Sequence, residues 1–406
     1  MNRCDAWNEK RADLYLLAPA FAMCLAVLPV PLTAAPVSAA LDEAREAVHS
    51  LLAEDFRKLN AGRCTLVDVA DRVADLASAS NSPAMVRVLQ EGAFNIYRKA
   101  GKLQRAAERR IPFWINLGTF AEFEFAACPA GSFTMGRDDD PKSDGFRHKV
   151  NIARPFWIAR LQTTKRLFGT FRKVEWMLDE ERLYGGLDTP IGGVPQRRIE
   201  EFCAFLKAQN ASRIPDGYVF RLPTDAEWEY ALNANCEDPE DPYVRFKRGD
   251  RSVVEEISVT LKAVNDFRES RGQGPISAKT WVGPVFVVGQ RRPNAWGIYD
   301  MLGNGREFVL DTLPRGVIDL PHGEGTLGRC YDFGYRDGET DPVRRAAETN
   351  AFVMLRGGPR WGRFTAGWYN RVIRDSAYPD YDRQLVFRIV LAPDLLAERA
   401  KKGVGK

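Results

Sequence analysis

Apolar residues in the first third of the chain recur at helical steps. Leu41, Ala44, Val48, Leu51, Leu52, Phe56 and Leu59 fall three or four positions apart and line one face, so residues 41–110 are expected to be helical. A second helix is expected over 66–77. A third opens at Ser82-Pro83, an N-cap followed by proline at the first helical position, and ends near Gly101. Beyond Ile111-Pro112 the pattern changes. Apolar runs become short, and glycine, proline and aromatic residues become frequent. Phe123 and Phe125 alternate with polar neighbours, as strand residues do. Only a few helices stand out after that point. One covers about 198–209, with Phe202, Cys203 and Leu206 inward, and one starts at Thr224.

This pattern predicts an α+β chain: a small all-α helical hairpin domain over 41–110, a linker over 111–120, a large irregular domain over 121–392 and a charged tail over 393–406. The phrase AFNIYRKAGKLQRAAE resembles half of a tetratricopeptide-type hairpin, but no second copy follows at a fixed period. The helical unit is expected to dock a partner or the main domain. Residues 1–40 resemble a secretory signal peptide, with an apolar run over 14–35 and cleavage near Ala39 or Ala40. Asp5, Glu9 and Asp13 offset Arg3, Lys10 and Arg11, and Pro19, Pro29 and Pro31 suit a membrane helix poorly. Cleavage and retention as an anchor both stay open. A periplasmic or secreted location is expected.

Composition narrows the function classes. Apolar content of 45%, charged content of 28% and a net charge of +4 over 406 residues describe a globular chain without a nucleic-acid-binding pattern. After the leader the cysteines are Cys64, Cys128, Cys203, Cys236 and Cys330, an odd set without a CxxC pair. One or two disulfides, or buried free thiols, are both compatible with these spacings. His49, His148 and His322 lie far apart, and no Ser-His-Asp arrangement or phosphate-binding loop is evident.

Three stretches carry local logic. In RLPTDAEWEYA (221–231), Thr224 and Glu227 form a capping box, Asp225 and Glu227 place negative charge in the first turn, and Arg221 and Trp228 read as interior cross-links. In GNGRE (303–307), Asn304 and Glu307 offer hard oxygen ligands on a backbone free to bend, which suits calcium or a plain hydrogen-bonded turn. In LRGGPRWGRFTAGWYNR (355–371), glycines, arginines and rings crowd together.

Seven segments in order resemble the formylglycine-generating enzyme, or sulfatase-modifying-factor, domain family over about 121–392. They are CPAGSFTMG (128–136), HKV (148–150), PIGGV (190–194), RLPTDAEWEYA, VGQRRPNAWGIYDMLGNGREF (288–308), LRGG (355–358) and VFRIV (386–390). The resemblance implies an irregular fold related to C-type lectins. It also implies a structural calcium at the turn of Asn304 and Glu307, with Asn265 and Asp266 at a second calcium position. Arg356 and Arg388 fall in framework motifs and are expected to be buried ion-pair partners. Where the family reads GNVWEW, this chain has Gly305, Arg306 and Phe308. The family's oxidases bind copper(I) through two cysteines after the RGG motif. Those positions hold Gly362 and Gly367, and no cysteine follows Cys330, so no copper is expected. A three-histidine iron site, as in related sulfoxide synthases, is not expected either.

Two classes of function follow. One is a ligand- or protein-binding or scaffolding module outside the cytoplasm, a pseudoenzyme whose contact surface is Arg306, Arg360, Trp361, Arg363, Phe364, Trp368, Tyr369 and Arg371. The other is a periplasmic tailoring enzyme, similar to the cysteine-free relatives of siderophore maturation, with Arg306, Glu307, Arg363 and Arg374 as its polar groups. An active sulfatase-activating oxidase is disfavoured.

Overall fold

The computed structural model describes residues 35–117, 122–136, 147–172, 186–250, 252–258, 286–313, 328–329, 337–345, 351–357, 372–375 and 385–401, with single positions between 262 and 275. Four helices open it: α1 Ala35–Asn60, α2 Leu66–Ala79, α3 Pro83–Lys99 and α4 Leu103–Glu108. α1 runs through the expected cleavage at Ala39 or Ala40, while residues 1–34 lie outside the described residues. Among the described residues, no helix is long and apolar enough to cross a membrane. α2 starts with a capping box, in which Thr65 Oγ1 accepts from Asp68 N and Asp68 Oδ2 accepts from Thr65 N. α3 starts as expected at Ser82-Pro83, with Ser82 Oγ accepting from Met85 N.

Part of the expected linker is a strand. Phe113–Asn116 forms β1, antiparallel to β2 Glu122–Cys128, with Phe113 opposite Phe125 and Trp114 opposite Glu124. The physical reason is a period of two: Phe113 and Ile115 point inward, 1% and 0% exposed, and Trp114 and Asn116 point outward. β1 is the edge of a five-stranded sheet ordered β1-β2-β5-β13-β6, with β5 Phe156–Ala159, β6 Tyr218–Arg221 and β13 Val390–Pro393. The helices pack directly on this sheet. Phe94 of α3 meets Phe113 at 4.9 Å and Trp157 at 5.1 Å, so one apolar core continues from the helical unit into the sheet. The indole nitrogen of Trp157 also donates to Ile111 O at 2.9 Å.

A second five-stranded sheet is ordered β12-β7-β10-β11-β8, with β7 Arg306–Leu313, β8 Gly328–Arg329, β10 Phe352–Arg356, β11 Val372–Asp375 and β12 Leu385–Val386. A three-stranded sheet joins β3 Gly131–Met135, β4 His148–Ile152 and β9 Glu339–Thr340. The remaining helices are α5 Lys165–Gly169, α6 Gln196–Gln209, α7 Asp225–Asn233, α8 Pro242–Lys247, α9 Val254–Ile257 and α10 Leu395–Lys401. The chain is therefore mixed α+β, with a helical N-terminal region ahead of a sheet-rich domain.

α7 packs against β3 of the three-stranded sheet and β7 and β10 of the second sheet. Its capping box is formed as the sequence indicates: Thr224 Oγ1 accepts from Glu227 N at 3.1 Å, and Glu227 Oε2 accepts from Thr224 N at 2.8 Å. Arg221 closes on the same carboxylate with two bonds of 2.7 and 2.8 Å. Thr224→Ala removes a cap that is 1% exposed. The expected cost is about 1 kcal/mol of unfolding free energy by urea titration, and an unchanged midpoint would show that the cap is dispensable.

Candidate functional site

The frame of the site is a set of buried ion pairs around β7, β10 and α7. Strand pairing sets it up: Arg356 of β10 lies opposite Glu307 of β7, and Val386 of β12 pairs with Glu307 from the other side. Arg388, two residues past β12, reaches back with Nε and Nη2 to the two oxygens of Glu307, both at 2.7 Å. Trp228 Nε1 and Gln162 Nε2 donate to the same carboxylate at 2.8 and 2.9 Å. Both Arg388 and Glu307 are 0% exposed. Arg356 runs the other way. It donates to Asp225 and to Glu229, the latter at 2.8 Å, and its guanidinium lies 5.5 Å from the ring of Trp228. Asp311 of β7 accepts from Asp225 N and Arg344 N, each at 2.6 Å. Arg356 and Arg388 are thus the buried partners that the sequence motifs imply.

At the turn of Asn304 and Glu307 the candidate oxygen ligands are engaged in hydrogen bonds within the fold. The oxygens of Glu307 accept four N–H bonds, and a cation there would have to displace Arg388. Asn304, with φ of 53°, spends its amide on the backbone of Phe286, accepting from its N at 3.4 Å and donating to its O at 3.2 Å. Asn304 and Glu307 as placed do not fit a calcium ligand set. Asn265 lies in a short helical stretch where neighbouring Asp266 pairs with Lys262 at 2.7 Å. Among the described residues, no group of three or more His, Cys, Asp or Glu side chains is placed to hold a metal. His49 is on α1 and His148 on β4, and His322 lies outside the described residues.

Asp300, which the sequence reading passed over, is the unusual carboxylate of this region. It is 1% exposed, has φ of 54°, and its Oδ2 accepts from Gly289 N at 2.7 Å. Its Oδ1 is buried without a partner among the described residues. Burial pushes its pKa up to about 6, with only partial relief from the Gly289 bond.

The contact segment over 355–371 is described only at its root. Gly357, with φ of +90°, carries a carbonyl that accepts from Gly303 N at 2.9 Å. A Cβ at Gly357 would lie 3.3 Å from Gly305 O and 3.4 Å from Met301 O, both rigid backbone, so only glycine suits this position. Arg306 is half-buried at the start of β7. Arg360, Trp361, Arg363, Phe364, Trp368, Tyr369 and Arg371 lie outside the described residues, as do Gly362 and Gly367. Among the described cysteines, Cys64, Cys128, Cys203 and Cys236 are free thiols. Burial drives the Cys128 thiol well above the usual range and pushes Cys203 up to about 12, which keeps both protonated.

A groove of about 410 Å³ opens on the other side of the first sheet, between the outer face of β1–β2 and residues 286–299. Its polar wall is Glu122, Glu124 and Arg160, with Trp114 and Tyr299 as its rings. Burial raises the pKa of Glu124 despite the nearby Arg160 guanidinium. The sequence signal for one wall was present in the alternation of Trp114, Glu122 and Glu124 with inward rings. Nothing local announced that Arg160 and Tyr299 would complete it.

A family model described as the sulfatase-modifying factor enzyme 1-like domain matches residues 123–391. No curated protein matches the chain. Among solved structures, Treponema denticola variable protein 1 is similar at 17% identity and a TM-score of 0.47, covering 70% of this chain and 99% of that one. PvdO from Pseudomonas aeruginosa is similar at 20% identity and 0.43, covering 66% of this chain and 94% of that one. CarF is similar at 14% identity and 0.40, covering 69% of this chain and 100% of that one.

Proposed function

Because the chain belongs to the sulfatase-modifying factor enzyme 1-like domain family, we propose that it is a member without copper oxidase chemistry, working as a ligand- or protein-binding module. The observation that carries this reading is the donor set. Copper(I) is a soft ion that takes thiolate ligands. By the motif resemblance the family's two cysteine positions fall at Gly362 and Gly367, and no cysteine follows Cys330. Cys128 and Cys203 do not replace them, because they sit on β2 and α6 with burial holding their protons. On this reading the chain lacks the thiolate pair that copper(I) would need.

Binding through the 355–371 segment is supported by how its root is held. Arg356 is clamped by two carboxylates and Gly357 by backbone contacts, so the segment leaves a rigid frame, as binding loops commonly do. The contact residues are Arg306, Arg360, Trp361, Arg363, Phe364, Trp368, Tyr369 and Arg371. The tailoring-enzyme alternative loses Glu307 as an acid or base, since that carboxylate is spent on Arg388, Trp228 and Gln162.

The test is direct. Purified protein, copper(I), oxygen and a Cys-x-Pro-x-Arg peptide are incubated together, and the peptide mass is followed. The expected result is an unmodified cysteine at every time point. Conversion of the cysteine to the aldehyde would overturn the reading.

A further inference from the structure

We propose that the groove between β1–β2 and residues 286–299 is a second binding site, and that it takes a neutral, hydroxyl-rich ligand of the size of a disaccharide. Two residues of its wall, Trp114 and Glu122, precede the matched family region. Its volume of about 410 Å³ suits a small organic ligand.

The charges in the groove decide against an ionic ligand. Glu124 accepts from Arg160 Nη1 at 2.6 Å, and Glu122 accepts from Arg87 Nη1 at 2.6 Å. Arg87 belongs to α3 and also covers one face of Trp114 at 4.8 Å. A charged ligand would have to break one of these short pairs or bind against a neutralised wall. Pairing leaves hydrogen-bonding capacity unspent. Glu124 Oε1 and Arg160 Nη2 take no part in these bonds, while Arg160 Nε is fixed on Gly297 O at 2.7 Å. A carboxylate oxygen beside a guanidinium N–H offers an acceptor and a donor side by side, which matches two neighbouring hydroxyls.

The other walls suit the rest of such a ligand. Leu161, Trp114 and Tyr299 present apolar and ring surface to the groove. A sugar ring has C–H faces to set against them and an O–H edge to set against Glu124 and Arg160. Gly297 leaves room for the arginine head: its φ is +74°, and a Cβ there would lie 3.2 Å from Arg160 Nη2.

The site shares no residue with the 355–371 segment, so it can fail or stand independently of the binding role proposed there. Saturation-transfer difference NMR on the full chain tests it, with cellobiose, maltose and N,N′-diacetylchitobiose as probes. Cadaverine and glutarate serve as the cationic and anionic comparisons. Transfer to at least one disaccharide is expected, with affinity falling about tenfold or more in Glu124→Ala and in Tyr299→Ala. Tyr299→Phe, which keeps the ring, is expected to retain binding. The proposal is overturned by no transfer to any of the three disaccharides, by equal transfer in Glu124→Ala, or by transfer confined to cadaverine or glutarate.

Discussion

Arg388→Leu is expected to lower the unfolding free energy by about 3–5 kcal/mol. Its guanidinium and the Glu307 carboxylate are both fully buried, and they meet through two bonds of 2.7 Å. Leucine fills part of the space but leaves Glu307 charged in a dry interior with only Trp228 and Gln162 as donors. It also strips donors from Ala159 O and Tyr299 O, which Arg388 holds at 3.0 and 2.9 Å. Those carbonyls belong to the first sheet and to the 286–299 stretch, so the loss loosens the join between the two halves of the domain. Urea unfolding gives the number. Where the single variant does not fold, Arg388→Leu combined with Glu307→Leu is informative, because it removes the orphaned charge. The pair is expected to be more stable than Arg388→Leu alone. A loss below about 1 kcal/mol in the single variant would contradict the role assigned to Arg388.

The second large effect is expected at Asp300, and it depends on pH. Its folded pKa of about 6 lies above the ordinary aspartate value of 3.8, because burial disfavours the charged form. The fold therefore favours the protonated carboxyl. That contribution is fully present below the unfolded pKa and is lost as pH rises through about 6. Asp300→Asn keeps an acceptor for Gly289 N and carries no charge at any pH. At pH 7 the variant is expected to be more stable than the parent by about 2–3 kcal/mol, and the difference should vanish below the unfolded pKa, at about pH 3. Urea titrations of both proteins across this range, with chelator present, measure it. Parallel pH profiles would show that Asp300 is not the titrating group. A calcium-dependent rise in the melting temperature of the parent, missing from Asp300→Asn, would instead make Asp300 a cation ligand.

Local patterns made part of this molecule legible. The caps of α3 and α7 were readable because a helix N-terminus is satisfied by side chains within three residues. The interior roles of Arg356 and Arg388 were readable only through the family's motifs, since a single arginine says nothing about its partner. The pairing of Glu307 was not readable from the turn of Asn304 and Glu307 for the same reason. A carboxylate three residues from an asparagine looks available until a residue 81 positions away claims both its oxygens. The strand at 113–116 was hidden because four residues carry a weak period, and its partner strand supplies the other half of the signal.

What the sequence determined by itself is the α+β class, the helical region ahead of the sheet-rich domain, the family and the absence of cysteine after Cys330. These follow from periodicity, local turn chemistry and residue identity, which need no third dimension. Only the tertiary structure decided that the helices share a core with the first sheet, that Glu307 is paired rather than open, that Asp300 is buried with an unpartnered oxygen, and that Arg160 pairs with Glu124 in the wall of a groove. Each of these is a contact between residues far apart in the chain. Such contacts depend on strand order and burial, and hydrophobic alternation along a segment specifies which face turns inward but not which partner it meets.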